Sequence, residues 1–332
     1  MKPIARISTV SLVIVITGLS FLCSPRTAVA QQNPTAFEKA ISKDVVAVAS
    51  VNLTQVDLTK LNNWALELGL LSEEEAGILK LQLRLAQGAI KSLTDSGVER
   101  ISVLFRLSDF GAYSPLWVAT VKKEGDVAEA TEALKATLDI FQLDKRALKV
   151  RDGLIFGGPS QTEIDSLFTE NAAANRDLSA AIKMMNQHTA GVYVFGNQET
   201  RRVVREMLPD LPKPFNEATR ELIADHTDWG GLFLDLPPAA DLKLIIQASD
   251  KESAQTIGRL STATVEYALR KIEATDNSTD KTFFENFAKG FSSQEITDRQ
   301  VLIDAQSMMT DQAFLKSVVA MFRVEKSKSN RE

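Results

Sequence analysis

A chain of 332 residues with 38 basic and 43 acidic side chains carries a formal charge of −5 and a single cysteine. That cysteine, Cys23, falls in a leader expected at residues 1–30, so the exported chain can form no disulfide, thiolate metal site or cysteine nucleophile. The leader also takes Lys2, Arg6 and Arg26 with it; the remaining charge of −8 offers no basic stripe for the phosphates of a nucleic acid.

Lys2 and Arg6 precede an apolar run from Ile7 to Leu22, and small residues close the segment at Ala28-Val29-Ala30, the pattern of a secretory signal peptide. The run falls short of the roughly 20 residues that span a bilayer, so no transmembrane segment is expected after cleavage. Bulky Leu22 ahead of Cys23 disfavours lipidation. The chain is therefore expected to be exported, to a periplasm or the extracellular space, and a chain of this size without disulfides suits a bacterial periplasm.

After a linker at 31–43, a first α+β repeat is expected over 44–170. It opens with the β-branched run "DVVAVASVNL", continues through a helix at "TKLNNWALELG" and a longer one from Ser72, and then gives two strands, "ERISVLFRLSD" and "SPLWVATVKK". The longer helix is ambiguous: leucines alternate at 79, 81, 83 and 85 as in a strand, while Ile78, Leu81, Leu85, Ala89 and Leu93 form a helical stripe. Ser72 with Glu75 makes a capping box and the residues are straight-chain helix formers, which decides for helix. A helix from Asp126, a strand-turn-strand over "ALKVRDGLIFGG" turned at Asp152-Gly153, and a helix capped by Ser160 complete the repeat.

A connector at 171–188, polar and then helical, leads to a second repeat over 189–324. Its runs "TAGVYVFGN", "QETRRVVREML", "PFNEATRELIADH", "WGGLFLDL", "ADLKLIIQASD", the long helix from Lys251 and "QEITDRQVLIDAQSMMTDQAF" retrace the order of the first. Thr310 is the expected cap of its closing helix, 273–282 its main loop, and 325–332 a disordered tail. The fold class is α+β: two tandem copies of a β-α-α-β-β-α-β-β-α unit, each a mostly antiparallel sheet covered by helices.

Candidate sites are few. Gly157-Gly158-Pro159-Ser160 stands between a strand and a helix, where a phosphate or a nucleophilic serine could sit, but it lacks the Lys-Ser of a P-loop and the second glycine of an esterase elbow. Asp225, His226 and Asp228 are the acid-base candidates, and His188 has a weaker claim. No histidine or carboxylate spacing predicts a metal, and no motif predicts a cofactor. The aromatic residues Phe283, Phe287 and Phe291 recur at i, i+4 and i+8 on one face of a helix, with Phe284 alongside, where they would close a core or contact a ligand, lipid or partner.

The strand openings "DVVAVASVNL" and "TAGVYVFGN", together with "LKVRDGLIFGGPS" running into a helix, resemble a group of exported bacterial proteins of the planctomycete type, whose function is unknown. The resemblance implies an exported α+β chain and carries no catalytic residue. The function expected is a noncatalytic binding or scaffold protein of the bacterial envelope, its partner an envelope protein or lipid. Alternatives are a hydrolase using Asp225, His226 and Asp228, or a carrier that holds a hydrophobic ligand on the Phe283 to Phe291 face.

Overall fold

The computed structural model describes residues 37–38, 41, 45–106, 115–122, 127–140, 146–168, 176–196, 198–207, 224–237, 239–274 and 278–319. The expected signal peptide, nearly all of the 31–43 linker and the 325–332 tail lie outside them, as does most of the second repeat's "PFNEATRELIADH".

The strands are β1 (Val45–Asn52), β2 (Val98–Arg106), β3 (Leu116–Val121), β4 (Ala147–Arg151), β5 (Leu154–Gly158), β6 (Ala190–Phe195), β7 (Thr227–Asp235), β8 (Asp241–Ala248), β9 (Gln294–Thr297) and β10 (Gln300–Asp304). They form one sheet, in the order β4-β5-β3-β2-β1-β6-β7-β8-β10-β9, and every neighbouring pair is antiparallel. The α+β class with antiparallel strands is as expected. The halves share a single sheet, because β1 pairs with β2 on one side and β6 on the other. Val48 stands opposite both Leu104 and Tyr193. β6 is buried along nearly its whole length, whereas β1 alternates buried residues with half-buried ones.

Cross-strand register places Ile101, Ala119 and Ile155 on one face, which α2 (Glu73–Asp95) and α3 (Val127–Ile140) cover through Leu93, Ala130 and Leu134. Ile246 and Val301 lie on the same face further along, under Ala254 and Ile257 of α7 (Lys251–Ala274). On the opposite face, Ile164 of α4 (Gln161–Ser166) packs with Leu116. There too the buried Tyr193 hydroxyl donates to the Ala181 carbonyl of α5 (Arg176–Gln187), which occupies most of the expected connector.

The β4-β5 hairpin turns on Asp152 and Gly153, at φ 51° and 76°, a two-residue loop with both residues left-handed. Such a loop matches the twist of the flanking strands. In the second half, α8 (Ser278–Ser292) follows α7 and has no counterpart among the described residues between α3 and β4. Much of the loop expected at 273–282 is therefore helix: α7 continues to Ala274 and α8 begins at Ser278, where Ser-Thr-Asp favour a helix start. The closing helix is split into α9 (Gln306–Thr310) and a helical stretch at 312–319. The cap of that second piece is Asp311, which accepts the Phe314 N–H at 2.8 Å, rather than Thr310.

The 23-residue α2 is a helix, as its capping box predicts: Ser72 Oγ accepts from Glu75 N–H while the Glu75 carboxylate accepts from Ser72 N–H. Its apolar stripe does not stay on one side. Each i, i+4 step drifts about 40° around a helix of 3.6 residues per turn, so the line from Leu81 through Leu85 and Ala89 to Leu93 winds from solvent into the core. Ile78, Leu81 and Leu85 are 61%, 67% and 67% exposed, whereas Ala89 and Leu93 are buried.

Candidate functional site

The densest group of buried polar side chains lies at one end of the β1-β6 seam. Arg100 of β2 is buried and directs Nη1 to Ser50 Oγ at 3.3 Å and Nη2 to the His188 carbonyl at 3.1 Å. Burial lowers the pKa of this guanidinium, which nonetheless stays charged at neutral pH. Ser50 and Ser102, opposite one another on β1 and β2, share a hydrogen bond of 2.9 Å.

Across the seam, Asp235 at the end of β7 accepts the Thr189 N–H at 2.8 Å and meets His188 Nδ1 at 2.8 Å. Burial pushes the Asp235 carboxyl up, but hydrogen bonds from His188 and Thr189 outweigh it and hold the pKa below the ordinary carboxylate range. The His188 ring is itself buried and lies against Phe233, ring centroids 5.1 Å apart. Each polar group thus joins two strands or a strand to its entry loop. The cluster clamps β1, β2, β6 and β7, and His188 belongs to that clamp.

The structure disperses the Asp225, His226, Asp228 group. Asp225 pairs with Arg205 of α6 (Gln198–Met207), and Asp228 pairs with Arg299 from the β9-β10 turn and with Arg201 at 3.7 Å. Arg201 also donates to the carbonyls of Gly196 and Asp225, at 2.6 and 2.7 Å, tying α6 to the exit of β6 and the entry of β7. His226 instead meets Ser253 Oγ through Nδ1 at 2.9 Å, and the carboxylate within ion-pair reach of it is Asp250, at 3.9 Å.

A serine nucleophile requires a carboxylate on the ring nitrogen opposite the one that faces the serine. Here the hydroxyl and the carboxylate gather at the same nitrogen. Asp250 accepts the Ser253 N–H at 2.7 Å and its hydroxyl at 2.9 Å, so it acts as the cap of α7, and those bonds hold its pKa low.

No protein-family model, curated protein or solved structure matches the chain. The function therefore rests on this chain's own geometry.

The glycines of "IFGGPS" serve packing. A Cβ on Gly157 would run into the Trp117 indole, and one on Gly158 into Leu116. Ser160 Oγ accepts the Glu163 N–H at 3.2 Å, the helix cap that its spacing predicts. Phe283 and Phe287 of α8 lie inward. Phe283 stacks on Phe287 at 5.8 Å and on the buried Phe314 at 5.5 Å, and Phe284 meets Phe283 edge-on at 5.3 Å. Phe283 and Phe287 both pack against the main core. The side chain of Phe291 lies outside the described residues.

Among the described residues no group of three or more His, Cys, Asp or Glu side chains is placed to hold a metal ion, and no helix is long and apolar enough to cross a membrane. The surface that structural roles leave over is the outer face of α2. Ile78, Leu81 and Leu85 are presented to solvent there over two turns, with Gly77 and Gly88 at the ends and Lys80 and Arg84 along one flank. Its sequence signal was the winding of the stripe: a run of strict i, i+4 steps cannot stay on one face.

Proposed function

We propose that the protein is an exported, noncatalytic binding or scaffold protein of the bacterial envelope, and that its contact surface is the outer face of α2. One observation carries this reading. Three large aliphatic side chains, each more than 60% exposed, follow one another along a helix anchored at its far end by buried Leu93. Scattered exposed apolar residues need no explanation, but a contiguous row marks an interaction site. The matching strand orders on either side of the seam support an internal duplication that builds a wide sheet as the platform for this helix.

The test is capture of binding partners from an envelope extract, with both protein and lipid identified by mass spectrometry. Wild type is expected to retain a partner that the Leu81→Glu, Leu85→Glu double variant loses at unchanged melting temperature. Equal capture by both proteins would remove α2 as the contact surface.

A further inference from the structure

We infer that the cleft between the end of α3 and the edge strand β4 binds the carboxylate of a small organic acid with a single negative charge and an apolar body, and that Arg146 receives it. The cleft has a volume of about 320 Å³ and is lined by Lys135, Leu138, Asp139, Arg146 and Leu148. Such a volume lies at the lower end of the roughly 300–1,000 Å³ of small-molecule sites. α1 (Leu58–Glu67) and α2, joined where the Gln87 side chain accepts the Leu58 N–H at 2.8 Å, supply none of the described lining residues, so the site is separate from the outer face of α2.

Packing explains why the cleft opens there. Ala130 and Leu134 of α3 are buried with Ile155 of β5, whereas Leu138, one turn on, is only half-buried where the helix reaches β4, the last strand of the sheet. Arg146, one residue ahead of β4, and Leu148 within it are two apart in extended chain and so share a face. The neighbouring cations turn the other way and have partners: Lys149 pairs with Asp165 of α4, and the Arg151 guanidinium lies 4.0 Å over the Phe168 ring.

Arg146 is the residue that points to a ligand. It is half-buried as a whole, but its Nη1 is fully buried and meets no hydrogen-bond acceptor; Asp139, on the same cleft, does not supply one. Buried donors are almost always paired, and one left unpaired bears the full cost of its lost hydration. Lys135 is already engaged, its Nζ 2.6 Å from Glu132 Oε1. A carboxylate fits the planar fork of a guanidinium, and Leu138 and Leu148 offer apolar contact to its carbon body. Asp139 and the free carbonyls at the end of α3 place negative charge beside the same space. One negative charge is therefore accepted at Arg146 and a second is opposed, which selects against phosphate and dicarboxylates.

The experiment is calorimetric and NMR titration of the exported protein with 4-phenylbutanoate, 4-phenylbutan-1-ol, succinate and inorganic phosphate. 4-Phenylbutanoate is expected to bind with a Kd of about 1 mM or below, as its size allows. The other three are expected to bind more weakly by about tenfold or more, the worth of a charge-assisted pair. Arg146→Met keeps an unbranched stem and removes the charge. It is expected to weaken binding of the acid by about tenfold or more, while the melting temperature without ligand stays level or rises because an unpaired buried group has been replaced by an apolar one. The Leu81→Glu, Leu85→Glu double variant is expected to bind the acid as wild type does, so this site and the α2 reading stand or fall separately.

No binding of 4-phenylbutanoate up to about 20 mM, a concentration at which only negligible affinity would escape detection, would overturn the inference. So would binding that Arg146→Met leaves intact, or equal affinity for the alcohol. Succinate or phosphate bound as tightly as the acid would overturn the assignment to a single charge. A lower melting temperature of ligand-free Arg146→Met would make Arg146 a structural residue and overturn its role as receptor.

Discussion

Trp117 of β3 stands directly opposite Gly157 of β5, and its indole fills the volume that a side chain at 157 would need. The ring is rigid and held between β3 and the cluster beneath α3. Gly157→Ala is therefore expected to destabilise the protein by about 1–3 kcal/mol, the usual cost of overpacking. Gly158→Ala, which meets the flexible end of Leu116, is expected to cost less. Urea titration of the two variants side by side measures the difference; equal midpoints would show that the indole can move aside.

The seam clamp predicts a pH dependence. Asp235 has a folded pKa below its unfolded value of about 3.9, so its contribution is fully present above that value and is lost as pH falls through the lower, folded one. Asp235→Asn is expected to cost on the order of 1.5 kcal/mol at pH 7, the size of a charge-assisted hydrogen bond. It should also flatten the decline in stability between about pH 5 and pH 2. Thermal melts across that range check both; parallel acid limbs for the variant and wild type would contradict the assignment.

The stacking of Phe283 on Phe314 makes α8 part of the core. Phe283→Ala and Phe287→Ser are each expected to lower stability by about 2–4 kcal/mol. Circular dichroism melts of both variants measure this. A Phe287→Ser protein with wild-type stability would return the aromatic face to the surface.

The end of the first half carries two local signals whose strengths can be compared. Ser160→Ala removes the cap of α4 and is expected to cost about 1 kcal/mol. Gly153→Ala forces a side chain into the left-handed region at φ 76° and is expected to cost about 1–2 kcal/mol. Neither position touches the outer face of α2, so denaturant midpoints should shift while partner capture through that face at matched temperature does not.

The features legible in the sequence are those that one or two turns of chain decide. The Asp152-Gly153 turn, the Ser72 and Ser160 caps and the β-branched runs of β1 and β6 carry their reasons in adjacent residues. What was not legible depends on partners far along the chain. His188 finds Asp235 47 residues away, and Arg100 reaches the His188 carbonyl across 88, so neither spacing resembles a motif. His226 had acidic neighbours in sequence, but those carboxylates turn to Arg205 and Arg299, and the histidine meets Ser253 from another element. The stripe of α2 was visible as a periodicity; which of its residues would reach the core was fixed only by where β2 and β3 come to lie.

The pairing of Val48 with Tyr193 at the middle of the sheet has a consequence for the chain in pieces. A first half synthesised alone would end in a bare, valine-rich β1, and a second half alone in an equally naked β6, each a template for unregulated strand addition. Fragments severed between α4 and α5 should precipitate separately and reconstitute when refolded together, with the Arg100 to His188 bond acting as the latch that selects the correct mate.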